Sequence, residues 1–204
     1  LLEALRRICK LRHKEVALPD NIEKALTEAR AVSEKVGGVG EYETLRSITV
    51  NIGLIEGGSS INIIPDRARA LVDIRLPVGV TIEEVLSELR QMLHNLPNVS
   101  FEILTMCEPN VTNPNHELVE IALANARELL GRDRVVCNMR IGMSDARFYR
   151  QYGIPSIVYG PTPYNMGGTD EYVLADEVFA VLYVHAMTAY DYLTQEKVST
   201  PVAS

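Results

Sequence analysis

The chain has 204 residues, of which 47% are hydrophobic and 23% charged, with a formal net charge of −7. This composition is typical of a globular protein with a sizeable core, and the acid surplus argues against nucleic acid as a partner. No apolar run reaches about 18 residues, so the sequence gives no membrane span, and we expect a cytoplasmic protein. The three cysteines lie far apart without C-x-x-C spacing, which argues against a disulfide scaffold or a thiolate zinc site.

The first segment has the apolar spacing of a helix. Its positions Leu1, Leu5, Ile8 and Leu11 recur at helical intervals, and Leu1 opens the pattern without a capping residue. From this opening we expect a piece of a longer chain. A second helix is predicted near residues 21–35, where Gly37 and Gly38 stop the pattern.

A change to a period of two predicts strands from residue 45 onward. Apolar and polar residues alternate over 45–54 and again over 68–76, and a shorter apolar run occupies 61–64. A capping box at Thr81 opens a helix that ends before Pro97, and residues 99–105 alternate as a further strand. Residues 1–108 therefore predict an α+β domain whose helices cover one face of an antiparallel sheet.

A polar crossing rich in Pro and Asn, residues 109–114, marks the predicted domain boundary. The remainder, 109–204, alternates short apolar strands with helices and predicts part of an α/β domain with a parallel sheet. The strands are expected at 135–137 and 154–159. The helices are expected at 114–130, around 145–152 and at about 175–194.

Two loops follow these short strands, and ligands bind at the carboxyl ends of strands in open parallel sheets. In the first loop, Ser144 can cap the next helix and Gly142 permits close approach of a ligand, although an ordinary turn explains both residues equally well. In the second loop, Asp170 and Glu171 offer paired carboxylates, which the dipole of the next helix also favours. These residues by themselves do not indicate which ligand or reaction the two loops would serve.

Four sequence strings, taken together, resemble one enzyme family. The run S-I-N-I-I-P at 60–65 followed by A-L-V-D-I-R at 70–75 resembles the lid, or dimerisation, domain of the aminoacylase, carboxypeptidase G and succinyl-diaminopimelate desuccinylase family of zinc-dependent metallopeptidases and deacylases. G-M-S-D-A-R-F at 142–148, G-I-P at 153–155 and D-E-Y-V at 170–173 are similar to strings of the same family in the same order.

This resemblance implies a ferredoxin-like lid domain at 1–108, with its first strand missing, and the C-terminal part of an α/β catalytic domain at 109–204. It implies that the longer parent is a metal-dependent amidohydrolase, a deacylase or peptidase that cleaves an amide beside a free carboxylate through metal-activated water. The general base, a Glu, and most metal ligands of the family lie in an N-terminal half that this chain lacks, so the chain alone is expected to be inactive.

The family resemblance also assigns substrate contacts. Asn62 and Arg75 stand where family members place the lid pair that holds the substrate carboxylate, and Gly142, Ser144 and Asp145 fall in the active-site loop. An amide and a planar guanidinium suit a carboxylate. The alternative for Arg75 is an ion pair with Asp73 or Asp66.

The family pattern implies a divalent metal, zinc in most members, with manganese or cobalt as alternatives. The family's metal-binding His precedes the terminal Glu by four residues, and this position is Gly167 here. Asn165, Asp170 or Glu171 would then substitute, or the parent has a modified or inactive site. The chain alone is expected to be free of metal.

The resemblance further implies a homodimer formed through the lid and a small N-acyl amino acid or peptide as substrate. A second hypothesis, of a different class, is a non-catalytic homologue whose lid serves only for dimerisation or interaction.

Overall fold

The computed structural model describes residues 1–12 and 14–195. Within them, helices dominate and a single antiparallel hairpin forms the sheet. Short 3₁₀ turns lie at Cys9–Leu11 and Arg132–Arg134. The helices and strands are α1 (Leu2–Ile8), α2 (Asp20–Gly37), α3 (Glu41–Leu45), β1 (Thr49–Gly57), β2 (Ala68–Arg75), α4 (Ile82–Leu93), α5 (Glu117–Leu130), α6 (Ala146–Gln151) and α7 (Ala175–Thr194).

The hairpin of β1 and β2 is the sheet that the alternating pattern predicted. Thr49 lies opposite Arg75 and Gly57 lies opposite Ala68. The register shifts at Gly53, which forms a bulge where one strand carries an extra residue. Across the bulge, Ile52 lies opposite Val72 and Leu54 lies opposite the adjacent Leu71.

Helices cover one face of this hairpin. α1 and α4 pack over it around a buried cluster, which confirms the predicted α+β architecture. Burying such side chains contributes roughly 1.5–3 kcal/mol each, so this layer holds the N-terminal part together. The buried members are Leu11, Ile48, Val50, Val85 and Leu89.

The start of α4 matches the prediction from its sequence. The hydroxyl of Thr81 accepts a hydrogen bond from the amide of Glu84, and the Glu84 carboxylate accepts one from the amide of Thr81. This reciprocal capping box satisfies two amides that would otherwise lack partners. The Thr81 amide, and after it the Thr81 hydroxyl, donate to the Glu84 carboxylate and hold the pKa of Glu84 below its usual value.

A second unit is built on α5 and α7, which pack against each other. Ala126, Val135 and Val184 form its small buried cluster. The side-chain amide of Asn125 also donates to the Asp191 carboxylate at 2.8 Å, so a polar contact joins the two helices.

Two strands predicted in the N-terminal part are absent from the described residues. Residues 61–64 lie in the loop that joins β1 to β2, and Ile61 and Ile64 are fully or almost fully exposed. Residues 99–105 have the predicted composition but no ladder partner. A strand needs a neighbouring strand for its backbone hydrogen bonds, and alternation alone does not supply one.

The two strands predicted in the C-terminal part are also not formed within the described residues. Neither 135–137 nor 154–159 has a neighbouring strand. Ser156 bonds to a side chain instead, because the hydroxyl of Thr112 donates to its carbonyl at 2.6 Å and accepts from its amide at 2.9 Å. The predicted parallel sheet is therefore not seen, although the helices around it are in place.

No helix in the part of the chain that the structure describes is long and apolar enough to cross a membrane.

Candidate functional site

An open cleft of about 1120 Å³ lies between the two parts of the chain. Its walls are β2, α4, the extended residues 99–110 and the segment 139–151. Arg75 and the Gly142 loop, both noted in the sequence, form part of the wall of this cleft. Among the lining residues are Asp73, Arg75, Asn110, Ile141, Ser144 and Arg147.

Arg75 ends β2 and points toward the Gly142 loop. Its Nε donates to Asp73 Oδ2 at 2.7 Å, so one of the two ion pairs offered by the sequence is formed. Its Nη1 donates to the carbonyl oxygen of Ile141 at 3.2 Å. Its Nη2 makes no hydrogen bond within residues 1–12 and 14–195, and its side chain is 41% exposed. Part of the guanidinium therefore remains open to an anion.

Asn62 lies far from Arg75 within one copy of the chain. It sits in the loop that joins β1 to β2, where its Oδ1 accepts from the Ser60 hydroxyl at 2.6 Å. Arg75 is at the opposite end of β2, which starts at Ala68. At about 3.3 Å per residue, this strand alone spans roughly 23 Å. The structure thus does not bring these two residues together in one copy.

The loop from Gly142 to Asp145 leads directly into α6. A side chain at Gly142 would meet nothing within 4 Å, so the backbone there is open to close approach. A cap by Ser144 was one of the two alternatives that the sequence left open, and α6 begins without any side-chain capping bond. The backbone carbonyls of Ser144 and Asp145 accept the amides of Arg147 and Phe148 instead. Of the two alternatives that the sequence left open, the structure thus has the ordinary turn, whose backbone satisfies those amides.

A polar network fixes α6 against the crossing segment. Asn110 accepts from Arg150 Nε at 2.7 Å and donates to the Arg147 carbonyl at 3.1 Å. Burial lowers the pKa of Arg150 from its usual value. Arg147 stacks over the Phe148 ring at 4.4 Å, and its buried Nε has no partner among the described residues. Asn110 was not recognised from the sequence as part of this region, because its role depends on α6.

The second loop closes on itself. The backbones of Tyr164 and Tyr172 exchange two hydrogen bonds, and their rings stack 4.8 Å apart. Within this loop Glu171 Oε2 accepts from the Gly167 amide at 3.3 Å. Asn165 and Asp170 both adopt a positive φ, near 55°, which these residue types tolerate in tight turns.

The substitute metal ligands do not assemble into a metal centre. Across the described ranges, no three His, Cys, Asp or Glu side chains gather closely enough to hold an ion. The Glu171 carboxylate already accepts a hydrogen bond from the Gly167 amide, and Asp170 is the residue directly before Glu171. These residues therefore do not fit a complete metal site by themselves.

Residues 139–141, just before Gly142, dock on the N-terminal part. Met139 packs against the cluster of Ile22, Leu26, Leu45 and Val78. Arg140 Nη1 donates to Glu41 Oε1 at 2.5 Å. Arg140 and Glu41 lie 99 positions apart, and the only signal of their contact in the sequence is a charged residue two positions before Gly142.

The N-terminal part matches a known domain model. Residues 1–98 match the M20 peptidase dimerisation domain. A probable carboxypeptidase of Paracoccidioides brasiliensis is 33% identical over 78 residues, which are 38% of this chain and 17% of that protein. One of Aspergillus clavatus is 32% identical over 66 residues, which are 31% of this chain and 16% of that protein.

Most of the chain also resembles a solved structure. The M20 family metallo-carboxypeptidase Sso-CP2 from Sulfolobus solfataricus superposes with a TM-score of 0.62 at 20% sequence identity. The match covers 91% of this chain and 51% of that one. The chain thus spans about half the length of this structural relative, and at this identity the likeness concerns the fold.

Proposed function

We propose that this chain, a member of the M20 family of metallopeptidases, forms the lid and the C-terminal part of the catalytic domain of an amidohydrolase. The proposed division is at residues 108 and 109. The whole protein would hydrolyse an amide bond beside a free carboxylate, in an N-acyl amino acid or a peptide, and would act in the cytoplasm. The chain alone is proposed to be inactive.

The observation that carries this proposal is the position of Arg75. The lid arginine reaches the loop that holds Gly142, Ser144 and Asp145, because its Nη1 bonds to the Ile141 carbonyl. Its Nη2 is left for another acceptor, and a guanidinium binds carboxylates strongly through paired N–H donors. A substrate carboxylate in the cleft would thus be held at the lid side while its amide faces the Gly142 loop.

Asn62 would serve the same carboxylate only from a second copy. The strand length that separates Asn62 from Arg75 rules out a shared ligand within one protomer. A dimerisation domain offers the second copy, and homodimers of this kind are the commonest oligomers. We therefore assign Arg75 and Asn62 to one substrate site through different subunits.

Membership of this family implies a divalent metal in the whole enzyme. Zinc is proposed, with manganese or cobalt as alternatives. Such an ion would polarise the scissile carbonyl and acidify a bound water. The described residues do not form that centre, so the ligands would come mainly from outside this chain, with Asn165, Asp170 or Glu171 as additional donors.

A second possible function is that of a non-catalytic homologue, and one difference from the family pattern supports it. Where the family pattern has a metal-binding His, Gly167 stands here, and this difference favours a non-catalytic homologue that uses its lid for dimerisation. The two functions make opposite predictions for the full-length protein.

The decisive experiment combines metal analysis with hydrolysis of N-acyl amino acids and dipeptides by the full-length protein. We expect a bound divalent metal and turnover that a chelator abolishes. The 204-residue chain is the matched control and should show neither. Absence of both metal and turnover in the full-length protein would establish the non-catalytic function instead.

A further inference from the structure

The short segment that precedes the Gly142 loop is fastened to the N-terminal part at three adjacent residues. Met139 packs into an apolar cluster, Arg140 pairs with Glu41, and the Ile141 carbonyl accepts from Arg75. Their partners lie in α2, α3, β2 and the turn after β2. Three different interactions on successive residues leave this segment few alternative positions.

Glu41 is the most unusual of these partners because its carboxylate is buried. Its side chain is only 10% exposed, and Oε2 is buried without a hydrogen-bond partner among the described residues. Arg140 is therefore the cation that compensates this charge within the described part of the chain. A buried charge that loses its partner is strongly unfavourable, so the pair is costly to separate.

Gly37, at the end of α2, makes room for this carboxylate. A Cβ built on Gly37 would lie 2.3 Å from the Glu41 carboxyl carbon. Only a residue without a side chain allows the carboxylate to lie there. The position of Glu41 is therefore set by backbone geometry as well as by Arg140.

From these contacts we infer that Glu41 and Arg140 are positioning residues that hold the Gly142 loop against the lid. Their pair couples the position of the lid to the loop that would face the scissile amide. The docking itself stands on the contacts above, and only its consequence for catalysis rests on the proposed function. The pair touches no substrate, so it acts through the loop.

The test follows the methyl group of Met139 by NMR in the 204-residue chain labelled at methionine methyl groups. A Met139→Leu variant assigns the signal, and Met143, which is 65% exposed in the same loop, supplies an internal reference for a solvent-exposed methyl. In the native chain we expect the Met139 signal to be distinct from that reference.

Arg140→Gln should move the Met139 signal toward the exposed position, with the undocked fraction rising about 10- to 150-fold, the range for loss of a charge-assisted hydrogen bond. Arg140→Lys should restore part of the docked signal. Adding Glu41→Gln to Arg140→Gln should also restore part of it, because no buried charge is then left unpaired.

Gly37→Ala is an independent variant that changes no charge and suits a helix. It should displace the Glu41 carboxylate and undock Met139 as Arg140→Gln does. The matched control is Arg69→Gln, which breaks the exposed Arg69–Glu56 pair in the hairpin and should leave the signal unchanged. If Met139 stays docked in both Arg140→Gln and Gly37→Ala, the inference is overturned.

The same variants in the full-length protein separate this inference from the proposed function. If the protein is a hydrolase, kcat/KM should fall in proportion to the docked fraction, and Arg140→Lys should recover activity and docking together. Undocking without hydrolysis in any form would overturn the proposed function alone. Hydrolysis with an unchanged Met139 signal would overturn the inference alone.

Discussion

Arg75 and Ile141 meet across the cleft, where Arg75 Nη1 donates to the Ile141 carbonyl at 3.2 Å. The two residues lie 66 positions apart and belong to different parts of the chain. Through this contact the end of β2 lies directly beside the Gly142 loop. The consequences of this arrangement, and of three other features, are open to measurement.

Substitution of Arg75 tests its assignment to the substrate carboxylate. In the full-length protein, Arg75→Ala should lower kcat/KM by about 10- to 150-fold, since a charge-assisted contact contributes roughly 1.5–3 kcal/mol. Arg75→Lys should recover only part, because an ammonium lacks the planar pair of donors. A substrate with an amidated carboxylate is the control and should be almost insensitive to the change. An equal loss of kcat/KM for both substrates would show that Arg75 is a structural residue, which acts through its hydrogen bonds to Asp73 and Ile141.

The dimerisation domain predicts a homodimer in solution. β1 is paired on one side only within the described residues, and a free strand edge is a natural site of association. Sedimentation should therefore show a species of twice 22.7 kDa at micromolar concentration. Ile55→Lys places a charge on exposed β1 and should shift the protein to monomer, whereas Val39→Lys, away from the sheet, should not. A native chain that sediments only at 22.7 kDa would contradict association through this chain.

The hydrogen bond from Asn125 to Asp191 predicts a stability effect in the second unit. Asn125 is buried, and its loss would leave the carboxylate of Asp191 without this donor. Asn125→Ala should lower the free energy of unfolding by about 1–3 kcal/mol, as measured by denaturant titration. Asn115→Ala, at an exposed position before α5, is the control and should change it by less than about 0.5 kcal/mol. Similar effects of both changes would show that the helix contact is not energetically important.

The pH dependence of stability should carry a contribution from Glu3. Hydrogen bonds from Arg6 and then Arg7 lower the pKa of Glu3 from 4.5 to about 2. Because the folded pKa lies below the unfolded one, the stabilisation is complete above pH 4.5 and is lost as the pH falls toward 2. The Tm difference between the native chain and Glu3→Gln should therefore shrink over this range. Glu102→Gln, at a carboxylate without an ion pair among the described residues, should show no such trend. A constant Tm difference for Glu3→Gln would contradict the assignment.

Much of the local structure followed from the sequence because helices carry their hydrogen bonds within one segment. The 3.6-residue spacing and the capping box at Thr81 predicted α4, and the same spacing predicted α2, α5 and α7. The alternation that predicted β1 and β2 succeeded because the two strands are neighbours in the chain and pair across one connecting loop. The four strings that indicated the family were also local.

Tertiary structure decided everything that depends on partners distant in the chain. Residues 99–105 and 154–159 have strand-like composition, yet neither finds a neighbouring strand among the described residues, and no periodicity could reveal that. Asn62 and Arg75 looked like a pair in the sequence but lie at opposite ends of β2. No sequence pattern linked Arg140 to Glu41, and folding pairs the exposed arginine with the buried Glu41 carboxylate beside Gly37.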